Sequence, residues 1–266
     1  MSTTTFTRVL PGSRAMSRNR PSTKAAWLWE NRKASNHWYW PTLAVLCALG
    51  LLSGYLEYRA YTAEFAAQGI SWIALWTQSS LLPSMLFIPM AAGAFVAQTA
   101  TIEHEGRNWQ RMSASKLART MIAGKLLHSM QTALASALVF FAEFVITGLL
   151  LGFDLADLGP YLARLVPVAL SIWVVEVFVM WVGTIASSFA AIMSALLMAT
   201  IGGFVLTLAA PSLAGLYPLS LVTSAFASRQ PDSITSVVSM LVAGLIATAW
   251  VSVWTMALLR RISRNS

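Results

Sequence analysis

The chain has 266 residues, 57% of them hydrophobic and 11% charged, with a formal net charge of +8. Soluble domains carry about a quarter charged residues, so a chain this apolar cannot cover itself with polar surface and is expected to be an all-α polytopic membrane protein. Cys47 is the only cysteine, and His37, His104 and His128 stand apart, which excludes an internal disulfide and any recognisable cysteine or histidine metal cluster.

Residues 1–20 hold four arginines, no acid and little apolar content. They read as a disordered basic cytoplasmic tail drawn to anionic lipid. They also lack the apolar core of a cleavable signal. Residues 21–266 read as one transmembrane domain. Pro21 and Ser22 can start a helix. Trp27, Asn31, Ala34 and Trp38 then fall on one stripe, with Lys24, Arg32 and Lys33 elsewhere. That pattern suits an N-terminal amphipathic helix lying in the membrane interface. A basic flank with aromatic anchors for the first span is the other reading.

The apolar runs predict six transmembrane helices, over about 39–58, 78–100, 119–151, 161–184, 190–210 and 236–259. Glu57, Arg59 and Glu64 mark a polar outer loop after the first, and Trp72 and Trp76 read as an interfacial belt. Pro83 and Pro89 should kink the second span, with neighbouring helices satisfying the freed carbonyls. The third span is longer than a bilayer requires, so its first turns are expected to project into the cytoplasm. Asp154, Asp157 and Pro160 form the next outer turn. An uncharged Ser187-Ser188 connection joins the fourth and fifth spans. The outer segment before the sixth span holds Pro211, Pro218 and Pro231, and Leu219 to Ala227 reads as a short helix lying at the outer surface.

Between the second and third spans lies the longest polar interval, Glu103 to Lys125. Two acids open it, and Arg107, Arg111, Lys116, Arg119 and Lys125 follow. This order suits a short helix, with negative charge near its N-terminus and positive charge toward its C-terminus. The i,i+4 pair Glu103–Arg107 is attractive and Arg107–Arg111 repulsive. Gly106 loosens the helix locally, and Trp109 and Met112 could form a small apolar face. The interval is either a solvated, orienting loop or a docking helix for a cytoplasmic partner.

Orientation follows from the basic residues. The N-terminal region holds seven Lys and Arg, the 103–125 interval five and the C-terminus three, together 15 of 18. The other side holds only Arg59, Arg164 and Arg229. Six spans with both termini and the central interval in the cytoplasm satisfy the count.

Several activities are excluded. There is no His-Glu-x-x-His, and Glu103-His104-Glu105 is too closely spaced to stand in for it. Gly50-Leu51-Leu52-Ser53-Gly54 does not have nucleophile-elbow spacing. Gly124-Lys125 is followed by Leu126 and lacks the upstream glycine of a Walker A loop. The chain is therefore not expected to be an enzyme by itself or to hold a cofactor, and active transport would need a separate ATPase subunit. No nucleic-acid partner is expected.

Glu103 to Leu127, written Glu-x-Glu-x-x-x-Trp-Gln…Lys-Leu-Ala-Arg…Gly-Lys-Leu-Leu, resembles the segment between the second and third spans of bacterial ABC-2-type permeases. Among these it is most similar to the permease subunits of lantibiotic and bacteriocin immunity transporters. Ser115-Lys116-Leu117-Ala118-Arg119 departs from the Pro-Val-Ser-Arg turn usual there. The layout of spans is similar over nearly the whole chain. The resemblance implies the transmembrane subunit of an ABC exporter in the bacterial cytoplasmic membrane. Two such permeases, identical or homologous, would work with two ATPase subunits that bind ATP and magnesium. Glu103 to Ser113 would be the coupling helix, with Glu103, Glu105, Gly106, Arg107, Trp109 and Arg111 at the contact. The substrate would be amphiphilic: an antimicrobial peptide, a drug or a lipid-like molecule, moved outward. A membrane scaffold or anchor without transport is the competing expectation.

Two acids fall inside spans, Glu143 and Glu176. An acid at the centre of a span costs about 2.5–3.5 kcal/mol on insertion scales and is rarely placed there without a partner. Each is either a substrate-contact or gating group, or a packed carboxyl bonded to a neighbouring helix. Counted from the outer turn, Glu176 lies nearer mid-membrane and is favoured for the substrate role. The difference in depth makes a direct contact between the two unexpected.

Overall fold

The computed structural model describes residues 22–34, 37–115 and 117–264, and the basic tail expected over 1–20 lies outside them. Among the described residues the structure is helical, without strands. Six helices are long and apolar enough to cross a bilayer: Tyr39–Ala60, Trp72–Glu105, Ala118–Leu150, Leu155–Val182, Phe189–Ala209 and Val237–Ser263. The all-α, six-span polytopic class is therefore the fold of this protein.

Ser22 caps α1 (Thr23–Lys33) by accepting from Ala25 N at 3.2 Å. The helix ends before Trp38, so the expected stripe is cut short. Ala26 and Glu30 are its buried residues, and it packs along the third span. The first span is α2 (Tyr39–Ala60), followed by the short α3 (Thr62–Ala67).

The second span begins earlier than expected. Helix α4 (Trp72–Leu82) runs into a π-turn over Pro83–Phe87 and then into α5 (Ile88–Glu105). A π-turn accommodates the amide that Pro83 lacks without ending the helix. Trp72 and Trp76 are not an interfacial belt. They are 2% and 0% exposed, and their indole N–H groups donate to Asp154 O and Phe226 O, each at 2.7 Å. Bonded this way, the rings pack with Phe140, Phe144 and Tyr161 in the core.

After α6 (Asn108–Ala114) the third span is α7 (Ala118–Leu150), and the fourth is α8 (Gly159–Val182). The most apolar window of the fourth span is 78% buried, against 17% for the sixth, so α8 is the hub and not a peripheral span. The fifth span is α9 (Phe189–Ala209). It is followed by α10 (Pro211–Ala214), α11 (Leu221–Phe226) and the sixth span, α12 (Val237–Arg264).

Helix α11 does not lie on the outer surface. Leu221, Val222, Ala225 and Phe226 are each 0% exposed, and the helix is tucked against α8. Arg164, five residues into α8 beside the 154–158 turn, is fully buried. Its Nε donates to Ile234 O and its Nη1 to Ala225 O, both at 2.7 Å, and Nη2 donates to Ser233 O. The guanidinium thus fastens the segment before the sixth span to the hub helix. A rigid fork of five donors suits a cluster of backbone carbonyls.

Candidate functional site

The interval between the second and third spans is not one helix. Helix α5 continues through Glu105, and Gly106 N closes it onto Ile102 O at 3.0 Å. Arg107 then adopts φ 51°, a left-handed conformation unusual outside glycine, and α6 starts at Asn108. Glu103 and Glu105 therefore stand in the last turn of α5, where the macrodipole disfavours an anion. The expected placement at a helix N-terminus is reversed.

Glu103 is held there by two lysines. It is 3% exposed and accepts from Lys33 of α1 and Lys125 of α7. Lys125 also donates to Glu30 Oε1 of α1 at 2.9 Å. The result is a quartet, Lys33–Glu103–Lys125–Glu30, that ties α1, α5 and α7 together at one end of the bundle. The Lys125 ammonium also lies 5.7 Å from the centre of the Trp109 ring, which brings in α6. Close packing makes the quartet reachable. A Cβ on Gly124 would lie 2.7 Å from Ala26 Cβ and 2.8 Å from Ala26 C, so only glycine lets α1 approach α7 this far. His104 extends the joint by donating from Nε2 to Gly183 O at 2.6 Å, at the end of α8.

The expected coupling residues thus divide into two groups. Glu103 and Met112 are buried, and Gly106 and Trp109 are half-buried, with the Trp109 ring turned to Lys125. Glu105, Arg107 and Arg111 are exposed. Arg111 is at the rim of a groove of about 420 Å³ between α1 and α6, lined also by Trp29, Lys33, Asn108 and Met112 among others.

Above the quartet runs a polar seam on α7. Lys125, Ser129, Thr132 and Ser136 follow the i, i+4, i+7, i+11 spacing of one helix face. Trp173 Nε1 of α8 donates to Ser129 Oγ at 2.9 Å. The Thr132 hydroxyl bonds Glu176 of α8, 2.9 Å from Oε2. Ser136 Oγ and Tyr39 OH of α2 are 2.6 Å apart. A cavity of about 30 Å³ lies between the quartet and Thr132, with His128 and Trp109 in its wall.

These contacts reset the depths of the two acids. Tyr39 opens α2, a helix of 22 residues that matches one bilayer. Its partner Ser136 is one turn above Thr132, so Glu176 lies level with the start of α2, at the basic end of the span. It is fully buried there, and Thr132 is its hydrogen-bond partner. Counting residues from the outer turn misplaces it, because α7 and α8 extend beyond α2 at that end. Glu143 is the acid at mid-height: it lies seven residues before Leu150, about 10 Å at the helical rise. The two acids have separate surroundings, as their expected difference in depth implies. The sequence reading missed Lys33, Glu30, Arg164 and the seam; the one signal available was the helical spacing of polar residues within an otherwise apolar α7.

Among the described residues no group of three or more His, Cys, Asp or Glu is placed to hold a metal. The arrangement is an exposed charged turn at the end of α5, next to buried ion pairs that tie α1, α5 and α7 together. Compared with protein-family models, curated proteins and solved structures, the chain gives no match.

Proposed function

We propose that the chain is the permease subunit of an ATP-driven ABC exporter of the ABC-2 type. It would work with two ATPase subunits, which hold ATP and magnesium, and with a second permease, identical or homologous. The observation that carries this reading is the joint itself. Glu105, Arg107 and Arg111 are exposed, Arg111 at the rim of the α1–α6 groove, while Glu103 is locked by lysines to α1 and α7. A partner that pushes on the exposed turn therefore moves the second and third spans together, since packed elements transmit displacement instead of absorbing it. The excess of basic residues at this end favours a cytoplasmic orientation in the bacterial membrane, with both termini inside. The substrate class is amphiphilic, in keeping with the resemblance to bacteriocin-immunity permeases.

The test is charge reversal of the exposed arginines. The double variant Arg107→Glu/Arg111→Glu should insert and melt like wild type, because both residues are exposed. It should lose co-purification with the ABC-type ATPase that wild type retains from its own cells, and lose substrate-stimulated hydrolysis. Unchanged stimulation in that variant removes the coupling role. A wild-type chain that retains no ATPase at all leaves the scaffold reading in its place.

A further inference from the structure

A second feature lies in the outer half of the bundle, away from the joint. Helices α2 and α7 part to leave a groove of about 560 Å³, lined by Ala48, Leu49, Leu52, Tyr55, Glu143 and Ile146 among others. This is within the range of about 300–1,000 Å³ typical of small-molecule sites. Leu49, Leu52 and Ile146 are 52%, 52% and 57% exposed, so the groove opens sideways, toward the space lipid would fill, and not toward either end of the bundle.

One wall is not apolar. Glu143 Oε2 is buried and has no hydrogen-bond partner within the protein. The ion pairs among the described residues all belong to the quartet at the other end, so Glu143 has no cation of its own. Its neighbour Thr147 donates to the Glu143 main-chain carbonyl at 2.8 Å and so does not serve Oε2. A buried carboxyl oxygen without a partner is costly in an apolar setting. It is also complementary to a group that brings both a cation and apolar surface.

We propose that the α2–α7 groove is a binding site for a membrane-partitioning primary amine, with Glu143 receiving its ammonium and the leucine-rich walls its alkyl body. Depth selects this occupant over an ordinary phospholipid. Glu143 lies about 10 Å inside the end of α7 by helical rise, whereas a lipid headgroup stays at the bilayer surface. Only a compact cationic amphiphile carries its charge that far in. That such an amine is cargo rests on the export reading above; that it binds does not.

The experiment uses the full chain in phosphatidylcholine nanodiscs, without an ATPase, and tritiated dodecylamine as the probe at neutral pH. Saturable binding is defined by excess unlabelled amine and corrected with empty discs. Wild type should bind saturably, and dodecan-1-ol, which has the same chain and no charge, should compete poorly. Glu143→Gln should weaken amine binding by at least about tenfold, the worth of one charge-assisted hydrogen bond. Ala48→Trp, at an exposed groove position, should abolish binding by filling the space, and it decides the matter if Glu143→Gln does not fold. Glu176→Gln should bind like wild type. Absence of saturable binding by wild type, as when a second copy of the chain covers the groove, overturns the site. Equal binding by Glu143→Gln, or equal competition by the alcohol, does the same. Because no ATPase is present, failure here leaves the coupling proposal standing, and failure of the arginine reversal leaves this site standing.

Discussion

Lys125 of α7 and Glu30 of α1 are separated by 95 positions and meet at 2.9 Å, each with a side chain only 6% exposed. Lys125 serves Glu103 at the same time, so one ammonium bridges two buried carboxylates, the second cation of the quartet being Lys33. Removing one member of a buried ion group leaves the others uncompensated, at a cost of about 3–5 kcal/mol. Lys125→Met is therefore expected to lower stability by that amount in denaturant unfolding and to release α1 to proteolysis. Glu30→Gln added to it should restore part of the loss, because Lys33 still pairs with Glu103. A Lys125→Met variant as stable as wild type would mean that the quartet does not hold α1.

Arg164 performs the matching task at the other end. It is 0% exposed and donates to Ile234 O, Ala225 O and Ser233 O. Lysine has no planar fork and cannot reach three carbonyls at once. Each buried acceptor left without a donor costs about 1–3 kcal/mol. Arg164→Lys should therefore destabilise the protein by at least about 2 kcal/mol on that scale. Amide exchange should speed up first over 225–236, the segment that the guanidinium holds. Unchanged exchange there would show that α11 is kept in place by its apolar contacts alone.

The spans were legible because a run of about 20 apolar residues has few alternatives to crossing a bilayer. Their partners were not. Trp72 and Trp76 look interfacial by composition, yet Asp154 O and Phe226 O, 82 and 150 positions away, let them be buried. Arg164 reads as an outer charge until the carbonyls of the segment before α12 are seen around it. Acids followed by bases suggested a helix running from Glu103. The left-handed turn at Arg107 divides that stretch and places Glu103 at the end of α5. For the exposed half of the candidate joint, Glu105, Arg107 and Arg111, the charge pattern leaves a solvated loop and a docking helix both open, and only the resemblance points to the contact. The buried half depends on α1, whose docking against Gly124 is a matter of shape.

Glu176 gives the sharpest test of the seam, because hydrogen-bond counting predicts an asymmetry. Thr132 Oγ lies 2.9 and 3.1 Å from the two Glu176 oxygens and 2.8 Å from Ser129 O. Thr132 therefore keeps a main-chain acceptor whatever stands at 176, whereas Glu176 has only Thr132 among the described residues. Thr132→Val should orphan the buried carboxyl and cost about 1–3 kcal/mol. Glu176→Gln keeps shape and a donor toward Thr132, and should change stability by less than about 1 kcal/mol. Glu176→Leu removes the group that needs a partner and leaves Thr132 bonded to Ser129 O, so it too should be mild. The double variant Thr132→Val/Glu176→Leu should then recover most of what Thr132→Val alone loses, since replacing both partners by apolar groups of similar shape is nearly neutral. Denaturant unfolding of the four proteins in one detergent measures the cycle. If the losses simply add, Glu176 is held by something other than Thr132, and the seam does not join α8 at that level.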